Sequence, residues 1–243
     1  MIVAHRGASY DAPENTLPAF TLAWEQGADA VEADFHLTKD GHIVCIHNGD
    51  TKSVAKENLV VCDSTLDELR KLDVGAQRGE AFKGTRIPTI SEVFAVIPEQ
   101  KKIFIEIKSD AQIIPVLLRE IDKSGLKKEQ VAFICFNGKI IQELKAQAPQ
   151  YKAHLLCSFE KQVTGKITPS LETVLNTLKV IQSDGIDANS AMPESFIEPI
   201  IKQGYEWHVW TIDDLKTAKR MADLGVRSIT TNRPGYLRAH LVE

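Results

Sequence analysis

The stretch 102-KIFIEIKSDAQIIPVLLREIDKS-124 lays a strand and a helix end to end. From Lys102 to Lys108, three isoleucines alternate with Phe104, Glu106 and Lys108, the period of two of a β-strand whose two faces differ. From Ala111 to Ser124 the apolar residues recur at helical spacing. Strand then helix is one βα unit, and the pattern repeats outward in both directions. Candidate strands are Ile2 to His5, Ala30 to Phe35, Ile43 to His47, Lys102 to Lys108, Val131 to Phe136, Ala153 to Ser158, Gly185 to Asn189, Glu206 to Ile212 and Ser228 to Thr231. Candidate helices are Thr16 to Gln26, Ser91 to Ile97, Ala111 to Ser124, Gly138 to Gln147, Ser170 to Gln182, Ser195 to Gln203 and Asp213 to Leu224.

Several of these strands are almost wholly apolar, as a parallel sheet covered on both faces requires, and the helices between them supply the crossovers. At 243 residues with 43% hydrophobic residues, repeated βα units predict an α/β fold, a (β/α)8 TIM barrel, as a single domain over residues 1–243. A doubly wound sheet is the rival, but the clustered glycines Gly75, Gly79 and Gly84 do not follow a strand, so dinucleotide and P-loop readings have no support. The alternation breaks between His47 and Pro88, a polar segment with one short helix from Thr65 to Leu72. That is too long for an ordinary connection and predicts a cap-like insertion at about residues 48–87, after the second strand. Nine strand candidates exceed eight places, so Ile43 to His47 is expected to pair with the end of the second strand or to begin the insertion.

A formal net charge of −4 offers no general attraction to nucleic acid or to an anionic membrane. No stretch is long and apolar enough for stable membrane insertion, and the N-terminus lacks the basic and hydrophobic regions of a secretory signal. Cys45, Cys62, Cys135 and Cys157 form no CxxC pair, and three of them sit in apolar runs. Buried free thiols in a cytoplasmic setting are the expectation. Oligomeric state is left open.

Polar residues collect where strands end. Glu32 and Asp34, two apart on the second strand, share a face, with His36 following on the same side if the strand continues. Glu106 and Lys108 share a face on a later strand. Three carboxylates converging on one dry barrel mouth repel unless a cation joins them, and hard oxygen donors suit one divalent ion, Mg²⁺ or Ca²⁺. No cysteine pair or close histidine pair argues for a softer site. With that ion, Arg6 and Lys108 bring the sum to about plus one, so the pocket favours an anion such as phosphate. His5 and His47 each end an apolar strand beside these charges, where an imidazole can give and take protons near neutral pH. His42, His154 and His240 read as structural hydrogen-bonding residues. Within Pro13-Glu14-Asn15-Thr16, Asn15 or Thr16 can cap the first helix, Pro18 suits its first turn, and Glu14 can orient Arg6.

His5-Arg6-Gly7, Pro13-Glu14-Asn15-Thr16, Glu32-Ala33-Asp34, His47 and Ile105-Glu106-Ile107-Lys108, in that order, resemble the glycerophosphodiester phosphodiesterases. Val209-Trp210-Thr211 and Thr230-Thr231-Asn232-Arg233-Pro234 extend the likeness to the end of the chain. The resemblance implies Glu32, Asp34 and Glu106 as metal ligands, His5 and His47 as acid and base, Arg6 and Lys108 as phosphate contacts, and Trp210 as a wall of the substrate pocket. It implies metal-dependent hydrolysis of a small-molecule glycerophosphodiester to glycerol 3-phosphate and an alcohol, through the glycerol 2-hydroxyl or through water. The sequence departs from the family pattern at Asn48, where Asp is usual, at Ser53, where Arg is usual, and at Tyr10, where Gly is frequent. The alternatives are a related barrel phospholipase of the D or C type, and a phosphate-binding barrel without catalysis.

Overall fold

The computed structural model describes residues 1–241. Its strands are β1 (Ile2–Ala4), β2 (Ala30–Leu37), β3 (Ile43–Cys45), β4 (Lys102–Ile107), β5 (Val131–Cys135), β6 (Lys152–Cys157), β7 (Glu160–Lys161), β8 (Ile167–Thr168), β9 (Gly185–Asn189), β10 (Glu206–Trp210) and β11 (Ser228–Thr231). Eight of them run parallel in the order β1-β2-β4-β5-β6-β9-β10-β11, and β11 returns to β1, closing the barrel. The expected ninth candidate is β3, which pairs antiparallel with the end of β2 through Phe35 opposite Cys45 and Leu37 opposite Ile43. The helices are α1 (Leu17–Glu25), α2 (Leu66–Leu69), α3 (Ile90–Ala95), α4 (Ile113–Ser124), α5 (Gly138–Gln147), α6 (Leu171–Val180), α7 (Glu194–Lys202), α8 (Leu215–Asp223) and α9 (Pro234–Leu241). All but α2 follow a barrel strand and cover the outside of the barrel.

Two elements escaped the sequence reading. The hairpin β7–β8 has two residues per strand, too few to show a period, and α9 buries only Pro234 and Leu237, too few to mark a face. Thr16, not Asn15, caps α1 by accepting from the Ala19 amide at 3.4 Å. At Gly7 the chain takes φ +80°, and a Cβ there would lie 2.6 Å from the Ala19 carbonyl carbon, so only glycine lets this turn pack on α1.

The main core lies between strands and helices, where Phe20, Phe35, Ile103, Phe133 and Leu117 are fully enclosed. Inside the barrel, Val3, Ala30, Phe104, Ile134 and Leu156 form an apolar layer. Beneath it the interior turns polar. His154, expected to stand alone, packs its ring 4.4 Å from that of His208 and lies 3.2 Å from Glu206. The sequence shows no close histidine pair because the two belong to β6 and β10, which the barrel alone brings together. Burial brings His208 down to about 4.

The insertion after β2 is built from short helical turns and α2, around an apolar cluster of its own. Ile46, Val61, Leu69, Leu72, Val74 and Ile87 meet there against Val44 of β3. Thr65 and Glu68 form a reciprocal cap on α2. Arg78 reaches across to the β1–α1 loop, donating to the carbonyls of Ser9 at 2.7 Å and Tyr10 at 2.6 Å. Leu69 is fully buried in this cluster. Leu69→Ala is therefore expected to lower stability by about 2–5 kcal/mol, read as a lower urea midpoint with no change in slope.

Candidate active site

Side chains of the carboxyl-terminal strand ends converge above the apolar layer. On β2, Glu32 and Asp34 point inward with Ala33 between them, and Asp34 lies in register with Glu106 of β4. One carboxylate oxygen from each of the three falls within 4.8 Å of the others, and all three groups are buried. Burial, then the charges of Asp34 and Glu106, push Glu32 well above the usual carboxylate range. Burial and Asp34 likewise raise Glu106 to about 7. Asp34 is different. Burial opposes its charge, but Lys108 and Arg6 overcome that and hold its pKa below the ordinary value. Lys108 Nζ stands 3.2 Å from Asp34 and 2.6 Å from Glu106, and Arg6 Nε stands 3.3 Å from Asp34.

The β1–α1 loop brings the first half of the site. Arg6 takes a left-handed backbone, φ +54°, which aims its amide at Glu32 Oε2 at 2.9 Å while its guanidinium contacts Glu14 at 3.0 Å. Asn15, also left-handed, donates its side-chain amide to Asp34 at 2.8 Å and accepts the Asp34 backbone amide at 3.2 Å. Its work is thus to fix a carboxylate, not to cap a helix. His5 Nδ1 donates to Asn232 Oδ1 at 2.7 Å, and Asn232 in turn donates to Asp213 at 2.6 Å. With Nδ1 carrying the proton, the neutral ring presents Nε2 as an acceptor, and that atom lies 4.0 Å from Glu32. Burial, then the charge of Arg6, lowers the His5 pKa.

His47 follows β3 and is built the same way. Its Nδ1 donates to Asn48 Oδ1 at 2.8 Å, and Asn48 donates to Ser53 at 3.1 Å. The two departures from the family pattern are therefore bonded to each other, and Asn48 still orients the ring, but without a charge. Burial lowers the His47 pKa, against the pull of Asp34. His36 lies outside the carboxylate cluster, with Nε2 3.1 Å from the His47 carbonyl.

His5, Arg6, Glu32, His47, Glu106, Lys108 and Trp210 line one cleft of about 240 Å³, and Asp34 abuts it through its ion pairs. All eight residues singled out from the sequence thus come together at one end of the barrel. Phe136, half exposed on the rim, meets Trp210 edge to face at 5.7 Å.

Four contributors were missed. Asp187 of β9 lines the cleft, and the alternation of Gly185, Asp187 and Asn189 with Ile186 and Ala188 was the available signal. Asn15, Asn232 and Asp213 act through other side chains; the first two stand in the motifs that carry the family resemblance, where no site role was read for them, and Asp213 has no signal of its own.

The model of the glycerophosphoryl diester phosphodiesterase family matches residues 5–236. The chain belongs to that family. It is 35% identical over 244 aligned residues to the glycerophosphodiester phosphodiesterase of Caldanaerobacter subterraneus subsp. tengcongensis, covering 98% of this chain and 96% of the relative. Among solved structures, the family member from Thermotoga maritima shares 25% identity at a TM-score of 0.78, covering 98% of this chain and 96% of the other. A phosphodiesterase of Oleispira antarctica, solved with its product sn-glycerol 3-phosphate, superposes at a TM-score of 0.89 with 23% identity, covering 100% and 97%. This last likeness speaks for the shared barrel.

Asp187 supplies a test of the cleft's electrostatics. Burial, then Glu106, pushes its carboxyl up to about 8, so the fold favours the protonated form and loses stability as pH rises from the unfolded value near 3.8 through 8. Asn mimics the neutral acid at every pH. Asp187→Asn is expected to melt above wild type from about pH 5 upward, with the gap widening to about pH 8 in a thermal series.

Proposed function

We propose that the chain hydrolyses water-soluble glycerophosphodiesters to glycerol 3-phosphate and an alcohol, with His5 and His47 as acid and base. The observation that carries this is the meeting, in one cleft, of two imidazoles with their Nδ1 atoms tied back, three carboxylates and two cations. Family membership and the activity of the 35% identical relative support it. The whole chain is read as one catalytic barrel domain, residues 1–243, with residues 48–87 as its cap. Free buried thiols at Cys45 and Cys135 accord with a reducing, cytoplasmic setting.

The carboxylate cluster fits a hard divalent ion. Its donors are all oxygen, and Glu32 Oε1 is buried without a hydrogen-bond partner among the described residues. Glu32, Asp34 and Glu106 would hold Mg²⁺ or Ca²⁺, which when bound supplies Lewis acidity and positive charge for a phosphoryl oxygen. The chain's own residues do the rest. One imidazole takes the proton from the attacking oxygen, either the glycerol 2-hydroxyl or water, and the other returns a proton to the departing alcohol. Both rings are presented for this through Nε2. Arg6 and Lys108 sit where charge builds on the phosphoryl oxygens, and both are held rigidly by Asp34. Trp210, its indole N–H fixed on the Asp187 carbonyl at 3.0 Å, forms with Phe136 an aromatic wall for the alcohol.

The test is a metal-dependent assay across glycerophosphocholine, glycerophosphoethanolamine, glycerophosphoglycerol and lysophospholipid vesicles. Turnover of the soluble diesters with Mg²⁺ or Ca²⁺ is expected. Turnover of vesicles alone would establish a lipid phosphodiesterase instead, and none at all a binding barrel. Glu106→Gln should abolish turnover and weaken ion binding while leaving the far-UV spectrum intact; full activity at saturating ion would overturn its role. His5→Ala should lower kcat about 10²- to 10⁴-fold without a matching loss of melting temperature. Asn48→Asp restores a charge beside His47, which raises the imidazole pKa, so the pH–rate limb governed by His47 should move to higher pH.

A further inference from the structure

The polar layer at the opposite end of the barrel is unconnected with this chemistry. Gly185 lies in register between His154 and Glu206, and His208 follows Glu206 by two on the same inward face of β10. Any side chain on Gly185 would begin 2.2 Å from the Glu206 carbonyl oxygen, so β9 contributes no side chain between its neighbours. His154 and His208 are buried, whereas the Glu206 side chain is 26% exposed and opens the group to solvent.

The partners are divided in a particular way. Glu206 Oε1 faces Lys152 at 3.3 Å, while Oε2 faces both rings, 3.2 Å from His154 Nε2 and 3.5 Å from His208 Nε2. His208 Nδ1 is bonded to the buried Ser228 hydroxyl at 2.6 Å, and its Nε2 is buried with no hydrogen-bond partner among the described residues. A ring pinned through one nitrogen, with the other bare and aimed at a carboxylate oxygen and a second imidazole, is the arrangement of a metal-ligating histidine. Donor spacing agrees. Tetrahedral Zn²⁺ with bonds of about 2.1 Å sets its ligand atoms about 3.4 Å apart, and the three donors here lie within 4.8 Å of one another, with two of the edges at 3.2 and 3.5 Å.

We propose that His154, Glu206 and His208 form a second metal site, for a borderline divalent transition ion such as Zn²⁺, at the amino-terminal end of the barrel. The donor set of two imidazoles and one carboxylate oxygen distinguishes it from the all-oxygen cluster above. It takes no part in hydrolysis and ties β6 to β10 across β9.

Chelator-treated protein is titrated with Zn²⁺ in saturating Mg²⁺, which holds the all-oxygen cluster. The melting midpoint of wild type should rise by about 5–10 °C at a hundredfold excess over the dissociation constant. Co²⁺ in place of Zn²⁺ should give the intense visible bands of a four-coordinate ion. His208→Gln and His154→Gln should lose both signals, and Ser228→Ala should weaken Zn²⁺ binding about 10- to 100-fold. Their Mg²⁺-dependent turnover should equal that of wild type. Should a glutamine variant fail to fold, long-range ¹H–¹⁵N spectra of wild-type imidazoles decide alone: Zn²⁺ must shift Nε2 of His154 and His208. Unmoved Nε2 resonances, or a Zn²⁺ shift equal in wild type and both glutamine variants, would overturn the site.

Discussion

Everything at the mouth of the barrel depends on keeping three buried carboxylates together. Unrelieved, Glu32, Asp34 and Glu106 would drive β2 and β4 apart or take up protons, and the upward pKa of Glu32 and Glu106 records that pressure. Asp34 alone stays firmly ionised, because Arg6 and Lys108 approach it from opposite neighbouring strands and Asn15 grips it through two hydrogen bonds. One carboxylate thereby fixes the position of both cations. The strained turn at Arg6 and the glycine after it follow from this, since the loop must bring an amide to Glu32 and a guanidinium to Asp34 in a single residue.

The histidines show how orientation can be separated from charge. His5 is held by an amide that is itself backed by Asp213, and His47 by an amide backed only by a serine. Both rings are aligned by neutral oxygens, so neither acquires the basicity that a directly bonded carboxylate would confer. Asn48 and Ser53, two departures from the usual family pattern, are a matched pair: the amide of one donates to the hydroxyl of the other.

The barrel was legible because its strands and helices are short, apolar and regular, and seven of the eight candidate site residues because strand ends concentrate charge that an apolar run makes conspicuous; Trp210 came only through the family resemblance. What stayed hidden depends on closure of the barrel. His154 and His208 are 54 residues apart and meet only because β9 intervenes between β6 and β10 with a glycine at the right register. Asp187 sits on the inward face that the alternation of Gly185, Asp187 and Asn189 with Ile186 and Ala188 marks, but only closure of the barrel brings Glu106 near it. Asn15 reads as a helix cap from local sequence alone, since the capping preference of asparagine is strong and its actual partner, Asp34, lies across the loop.

The bridge from the insertion to the barrel has a consequence for variation. Arg78 grips the β1–α1 loop through the main-chain oxygens of Ser9 and Tyr10, which every amino acid carries. The grip is therefore blind to the side chain at position 10. Tyr10, mostly exposed and facing Arg233 at 4.6 Å, can therefore be exchanged without loosening the insertion. The side chain at position 10 and the attachment of the insertion can drift independently, although they share a residue.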